Sequence, residues 1–90
     1  MTLTPKLRQA LKARAHKLKP VILVGSNGIS EAVLKETDRA LNDHELIKIK
    51  IPTDDRDLKK QLFAEVCEKL NAELVQQIGS IGVIYRKNED

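Results

Sequence analysis

Apolar residues recur along this chain with two different periods, and the switches between them mark out its elements. Leu7, Ala10, Leu11, Ala15 and Leu18 fall three or four apart, the spacing of a helical stripe. Thr4-Pro5 supplies an N-cap followed by proline at the first helical position, so a helix is expected over about 5–18. Lys19-Pro20 ends it, because the residue before a proline is pushed out of the α region. Val21-Ile22-Leu23-Val24 is apolar throughout and rich in β-branched residues. It predicts a strand over 20–24 covered on both sides.

Gly25-Ser26-Asn27-Gly28 interrupts the pattern, and the helical period resumes after it. Ser30 is a good N-cap, with Ile29 before it and Leu34 four residues on, the arrangement of a hydrophobic staple. Val33, Leu34, Thr37, Ala40 and Leu41 give a helix over 30–42, stopped by Asn42-Asp43-His44. The period then shortens to two over 45–51. Ile47, Ile49 and Ile51 share one face and Leu46, Lys48 and Lys50 the other, which predicts a half-buried strand with a basic outer face. Leu58, Leu62, Phe63, Val66, Cys67 and Leu70 mark a third helix over 55–70, with acidic residues at its start and Asn71 suited to a left-handed C-terminal position. The last part reads as a hairpin, 73–78 and 81–86, joined around Gly79-Ser80, with Gly82 a candidate bulge.

These elements give the order α-β-α-β-α-β-β. The first strands need parallel crossovers and the last pair is antiparallel, so the fold class is a single α/β domain with a four-stranded mixed sheet packed with helices. Ninety residues suffice for one core, burying roughly 60 to 70% of the unfolded surface. No apolar stretch approaches the roughly 18 to 20 residues of a membrane span. The N-terminal segment is basic and amphipathic without an apolar h-region, so no secretory signal is expected. Cys67 is the only cysteine and cannot form an internal disulfide. A reducing, cytoplasmic location is expected.

Charge changes the picture more than composition does. Lys6, Arg8, Lys12, Arg14, Lys17 and Lys19 lie within residues 1–20 with no acidic residue among them. The whole chain carries +3, so this local +6 leaves −3 for residues 21–90. A one-sided basic segment favours a polyanion, because each cation that neutralises a phosphate releases condensed counterions. Taken alone, it also fits a solvated helix face.

The glycine loop fails both common nucleotide fingerprints. It lacks the third glycine of a dinucleotide fold and the lysine-serine/threonine ending of a Walker-type loop, so no nucleotide cofactor is expected. Two glycines three apart also suit a tight turn. Its context argues for phosphate contact: a strand before it, a helix N-terminus after it, and the basic segment upstream.

Leu18-Lys19-Pro20-Val21-Ile22-Leu23-Val24-Gly25-Ser26-Asn27-Gly28-Ile29-Ser30, followed by His44-Glu45-Leu46-Ile47-Lys48-Ile49-Lys50, resembles the CRM domain family, in particular its small stand-alone bacterial YhbY-type members. The resemblance covers nearly the whole chain. It implies an RNA-binding domain similar in fold to the C-terminal domain of bacterial translation initiation factor three. It also implies association with precursors of the large ribosomal subunit, and hence with ribosomal RNA; plant relatives act in organelle intron splicing. The family's glycine loop falls on Gly25, Ser26, Asn27 and Gly28. Many plant domains carry basic residues between the glycines, whereas Ser26 and Asn27 are neutral, which shifts weight to the flanking cations. The expected RNA-binding set is therefore the loop with Lys12, Arg14, Lys17 and Lys19, extended by Lys48, Lys50 and Arg86 according to which sheet face stays open.

Phe63 and Tyr85 are the only aromatic residues, too few for an RRM-type stacking platform. His16, His44 and Cys67 are the obvious nucleophile or metal candidates. Cys67 lies on a core stripe, His16 on the basic face and His44 at a helix end, and no metal-ligand spacing or triad pattern is present. The chain reads as a binding protein and not an enzyme, with no metal and no cofactor. The alternative to RNA binding is an adaptor whose basic face docks an acidic ribosomal or translation-factor partner.

Overall fold

Three side-chain caps fix where the helices begin. In the computed structural model, which describes residues 3–25 and 28–88, Thr4 Oγ1 accepts from the Leu7 N–H at 3.1 Å and starts α1 (Pro5–Ala15). Ser30 Oγ accepts from Val33 N at 3.2 Å ahead of α2 (Glu31–His44), and Asp55 Oδ1 from Leu58 N at 3.0 Å ahead of α3 (Arg56–Leu70). Such a cap is worth about 1 kcal/mol. α3 ends as expected on Asn71, at φ 55 and ψ 44. The Ala72 N–H reaches Cys67 O and the Asn71 N–H reaches Glu68 O, the paired bonds of a Schellman motif.

The strands are β1 (Pro20–Leu23), β2 (Leu46–Lys50), β3 (Glu73–Ile78) and β4 (Ile81–Tyr85), in the sheet order β1-β2-β4-β3. β1 pairs parallel with β2, while β2–β4 and β3–β4 are antiparallel. The mixed sheet and the element order are those the sequence predicts. Gly79, at φ 57, opens the two-residue turn of the last hairpin.

Two cores lie on opposite sides of the sheet. Phe63, Leu41, Val66, Ile22, Val24, Ile47, Ile49 and Ile84 pack between the sheet and the α2/α3 pair. Leu3, Leu11 and Ala15 from the first segment cover Leu46, Val75, Val83 and Tyr85 on the other side. Arg8 pins α1 there, donating from one guanidinium nitrogen to Leu74 O and Val75 O, both at 2.8 Å.

Several sequence expectations need correction. β1 is an edge strand, not one covered on both sides: Ile22 is buried, but Val21 and Leu23 are 51% and 64% exposed. Four apolar residues in a row cannot distinguish an edge from a centre, and α1 crosses β2, β4 and β3 without covering β1. α1 stops at Ala15, short of Leu18, and α2 runs on to His44, past Asn42. α2 ends where Glu45 takes φ 63, held by its N–H to Leu41 O and by Arg86 N–H to its carbonyl, both at 2.9 Å. Gly82 is in regular register with Ile49 and Gln77. The irregularities instead lie between Leu74 and Gln76 on β3 and between Pro20 and Ile22 on β1.

Candidate nucleic-acid interface

α1 covers only part of its side of the sheet, and what it leaves open forms the candidate site. Strand alternation places Leu46, Lys48 and Lys50 on this side. α1 buries Leu46, leaves Lys48 half-buried and leaves Lys50 exposed. The Lys48 ammonium donates to Leu18 O at 3.0 Å and so ties β2 to the connection between α1 and β1. The expected basic outer face is thus present only at the Lys50 end.

The basic residues of the first segment divide between two hollows. Arg14, Lys17, Leu18 and Lys19 face Val21, His44, Leu46 and Ile47 across one of them. Lys12, Ala15 and His16 line the other, with Lys48, Gln76, Ile78, Ile81 and Val83. Arg14, Lys17 and Lys19 are exposed, whereas Lys12 is half-buried against the sheet.

At the far end of β1 the chain enters the glycine loop. Leu23 is opposite Lys50, and the Val24 N–H donates to Lys50 O at 2.9 Å, so Lys50 stands beside the strand end from which Gly25 leaves. The two glycines differ in what the fold demands of them. Gly28 has φ 69, a conformation that side chains resist, and its N–H closes the turn on Gly25 O at 3.1 Å. Gly25 has no such φ, and a Cβ added there would meet nothing within 4 Å. Ser26 and Asn27 lie outside the described residues.

The loop's own donors are partly committed. Gly28 N–H bonds Gly25 O, and Ser30 N–H bonds Gly28 O at 3.1 Å. An incoming phosphate would therefore depend on the neighbouring cations more than on a nest of backbone N–H groups. The far wall of the loop hollow is Ile51, Pro52, Thr53, Leu58 and Leu62, and beyond it Asp54, Asp55 and Asp57 surround the start of α3. Lys50 favours an anion on its side of the hollow, while at the start of α3 the three carboxylates are offset by Arg56, Lys59 and Lys60.

Arg86 belongs elsewhere. Two residues on from Ile84, it shares that residue's side of the sheet, facing α2 and α3. One guanidinium nitrogen donates to Asp38 Oδ1 at 2.8 Å and Leu70 O at 2.9 Å. The other donates to Asp38 O at 3.1 Å and Asn42 Oδ1 at 2.8 Å. With its side chain only 18% exposed, it clamps the ends of α2, α3 and β4 together and does not join the basic surface. The alternation of Ile84 and Arg86 carried that information in the sequence. The exposed Val21 and Leu23, and His44 in the hollow beside Lys17, were not foreseen as parts of this surface.

Burial, and secondarily the Glu73 carboxylate, push the Cys67 thiol up to about 11, so it is protonated near neutrality. Among the described residues no group of three or more His, Cys, Asp or Glu side chains is placed to hold a metal ion. No described helix is long and apolar enough to cross a membrane.

A small α/β domain with a basic helix on one side of its sheet and a helix pair on the other is the class this geometry defines. Residues 3–86 match the CRS1 / YhbY (CRM) domain model, and the chain belongs to that family. It is 47% identical over 88 residues to a Pseudomonas aeruginosa protein named a probable RNA-binding protein, covering 98% of this chain and 85% of that one. It is 45% identical over 89 residues to a Haemophilus influenzae protein named an RNA-binding protein, covering 99% and 90%. The solution structure of a Staphylococcus aureus protein, described as a candidate RNA-binding protein, superposes with a TM-score of 0.85 at 38% identity, over 99% of this chain and 93% of the other.

Proposed function

We propose that this protein binds RNA along the side of the sheet that carries α1 and the β1 edge, and that its target is ribosomal RNA in a precursor of the large ribosomal subunit. The observation that carries the reading is the concentration of unopposed positive charge on one side of the sheet. Residues 3–25, β2 and the Gly28 end of the loop bring Lys12, Arg14, Lys17, Lys19 and Lys50 to one side, and these segments contain no carboxylate; Glu73, paired with Tyr85, lies at the β3 edge of the sheet. The acidic residues of α2 and α3, from Glu31 to Glu68, lie in the layer behind, interleaved with Lys35, Arg39, Arg56, Lys59, Lys60 and Lys69. A polyanion is attracted to the first side more strongly than to the second.

In this mechanism the cations between Lys12 and Lys19 neutralise phosphates and release counterions, which supplies sequence-independent affinity. Gly25, bare of a side chain and unconstrained by packing, lets the backbone come close to the RNA beside Lys50. Ser26 and Asn27 offer polar groups to phosphate or 2′-OH. The names of the relatives support RNA as the ligand, and the family resemblance supports the ribosomal precursor. The role is binding in the cytoplasm, without catalysis or a nucleotide cofactor.

Exposed Val21 and Leu23 beside Lys19 favour a second reading, an adaptor that docks an acidic ribosomal or translation-factor protein. Crosslinking in cells followed by sequencing of bound RNA separates the two. Enrichment of large-subunit ribosomal RNA and its precursors is expected. Enrichment of transfer or messenger RNA would remove the ribosomal part, and recovery of a protein partner without RNA would favour the adaptor.

A further inference from the structure

The hollow between α1 and the open half of the sheet has the chemistry of a nucleobase site, and we infer that it receives one unpaired base of the bound RNA. This rests on the RNA-binding reading and adds base recognition to it. The hollow measures about 210 Å³. Ala15, Ile78, Ile81 and Val83 give it apolar walls, Lys12, His16, Lys48 and Gln76 give it polar ones, and no carboxylate lines it.

The backbone irregularity of β3 explains how Gln76 comes to be there. Regular alternation from Val75, buried under α1, would send Gln76 to the opposite side. The register shift between Leu74 and Gln76 places Gln76 opposite Val83, which also packs under α1. An extra residue in one strand of a pair re-aims the side chain that follows. The Gln76 amide makes no hydrogen bond to a described residue, so its carbonyl and its NH2 both remain to be used. Lys12 has no ion pair with a described residue, while Lys48 is committed to Leu18 O.

A planar ligand with apolar faces, a donor–acceptor edge and an attached anion satisfies all of these groups together. The aliphatic walls contact the base faces, the Gln76 amide pairs with adjacent donor and acceptor atoms on the base edge, and Lys12 meets the flanking phosphate. Amide side chains read bases in this bidentate manner. Unpaired RNA can splay a base into such a hollow, whereas a paired base cannot leave its stack without cost. An acidic peptide would engage the lysines but leave the Gln76 carbonyl and the apolar walls unmatched.

The test uses the full chain and four single-stranded RNA octamers, each of one base, with an abasic octamer as control. Fluorescence anisotropy reads affinity and salt dependence, and amide chemical shifts locate the contact. The four octamers are expected to differ by at least about fivefold, with the abasic one weakest. Shifts should centre on Ala15, His16, Gln76, Ile81 and Val83. Gln76→Ala should level the four affinities without changing the salt slope, and Gln76→Glu should weaken all four. Lys12→Ala should lower the slope by about one unit. Equal, salt-dependent binding of all five octamers would overturn the base site and leave phosphate binding standing. No binding of these octamers or of structured ribosomal RNA would overturn both. A hexaglutamate peptide that shifts the same amides as strongly as RNA would overturn the base assignment in favour of an acidic protein partner.

Discussion

Gly82 lies directly against the ring of Phe63, so closely that a Cβ on residue 82 would overlap it. Phe63 is fully buried at the centre of the α2/α3 core, and the glycine on β4 makes the room that its ring occupies. Packing therefore fixes this glycine, with no bulge or turn involved.

Gly82→Ala should destabilise the fold by about 1–3 kcal/mol, the usual cost of forcing atoms into a filled core. Phe63→Leu, which removes ring atoms from the same place, should relieve part of that cost. Urea denaturation of the two single variants and the double variant checks this. The double variant should be more stable than the sum of the single losses predicts.

The loop glycines should separate by substitution. Gly28→Ala should cost about 1–2 kcal/mol, because φ 69 suits glycine and strains other residues. Gly25→Ala should leave thermal stability within about 0.5 kcal/mol of the parent, since the added methyl enters open space. Gly25→Asp should keep the fold and weaken RNA binding, by placing a negative charge where the proposed mechanism brings the backbone to phosphate. Differential scanning calorimetry and RNA titration of the same preparations give both readouts.

Arg86→Ala should be costly to the fold and nearly neutral for RNA. It removes four hydrogen bonds to Asp38, Asn42 and Leu70 and leaves the Asp38 carboxylate without its cation. Charge-assisted bonds contribute about 1.5–3 kcal/mol each where well buried, and here they share one guanidinium, so a loss of about 2–3 kcal/mol is expected. RNA affinity measured well below the melting temperature should stay within about twofold of the parent, about 0.4 kcal/mol at most.

Cys67 should react slowly with thiol reagents in the native state. Its thiol is raised from 9.0 to about 11, so its thiolate population near pH 8 is roughly 100-fold below that of an unperturbed thiol. The raised value also sets the sign of a stability effect. The unfolded thiol ionises first, so its contribution to stability is present below about pH 9 and is lost as pH rises toward about 11. Ellman kinetics with and without urea, and denaturation of Cys67→Ala against pH, test both statements.

Signals confined to a few neighbouring residues were legible in the sequence. Thr4, Ser30 and Asn71 cap as their chemistry dictates, and the alternation of Ile47, Ile49 and Ile51 placed one side of β2 in the core. What depends on distant chain was not legible. Nothing local to Val21–Val24 says that α1 leaves β1 at an edge, and nothing local to Gln76 reveals the register shift that turns it toward α1. α2 passes through Asn42 and Asp43 because its end is set by Glu45, held by Arg86 from the far end of the chain. The cations of residues 6–19 were visible as a run, but only the fold puts Lys50 on their side of the sheet, whereas the place of Arg86 on the opposite side was already legible in its alternation with Ile84.

The central claim is that the α1 side of the sheet holds the RNA, and a salt titration of two charge-matched quadruple variants tests it most directly. One carries alanine at Lys12, Arg14, Lys17 and Lys19, and the other at Lys35, Arg56, Lys60 and Lys69 on α2 and α3. Against structured ribosomal RNA, the first should lose affinity and flatten the log affinity against log salt plot by about one unit for each phosphate contact removed. The second should keep the parent slope. Equal losses in both variants, or an unchanged slope in the first, would contradict the account.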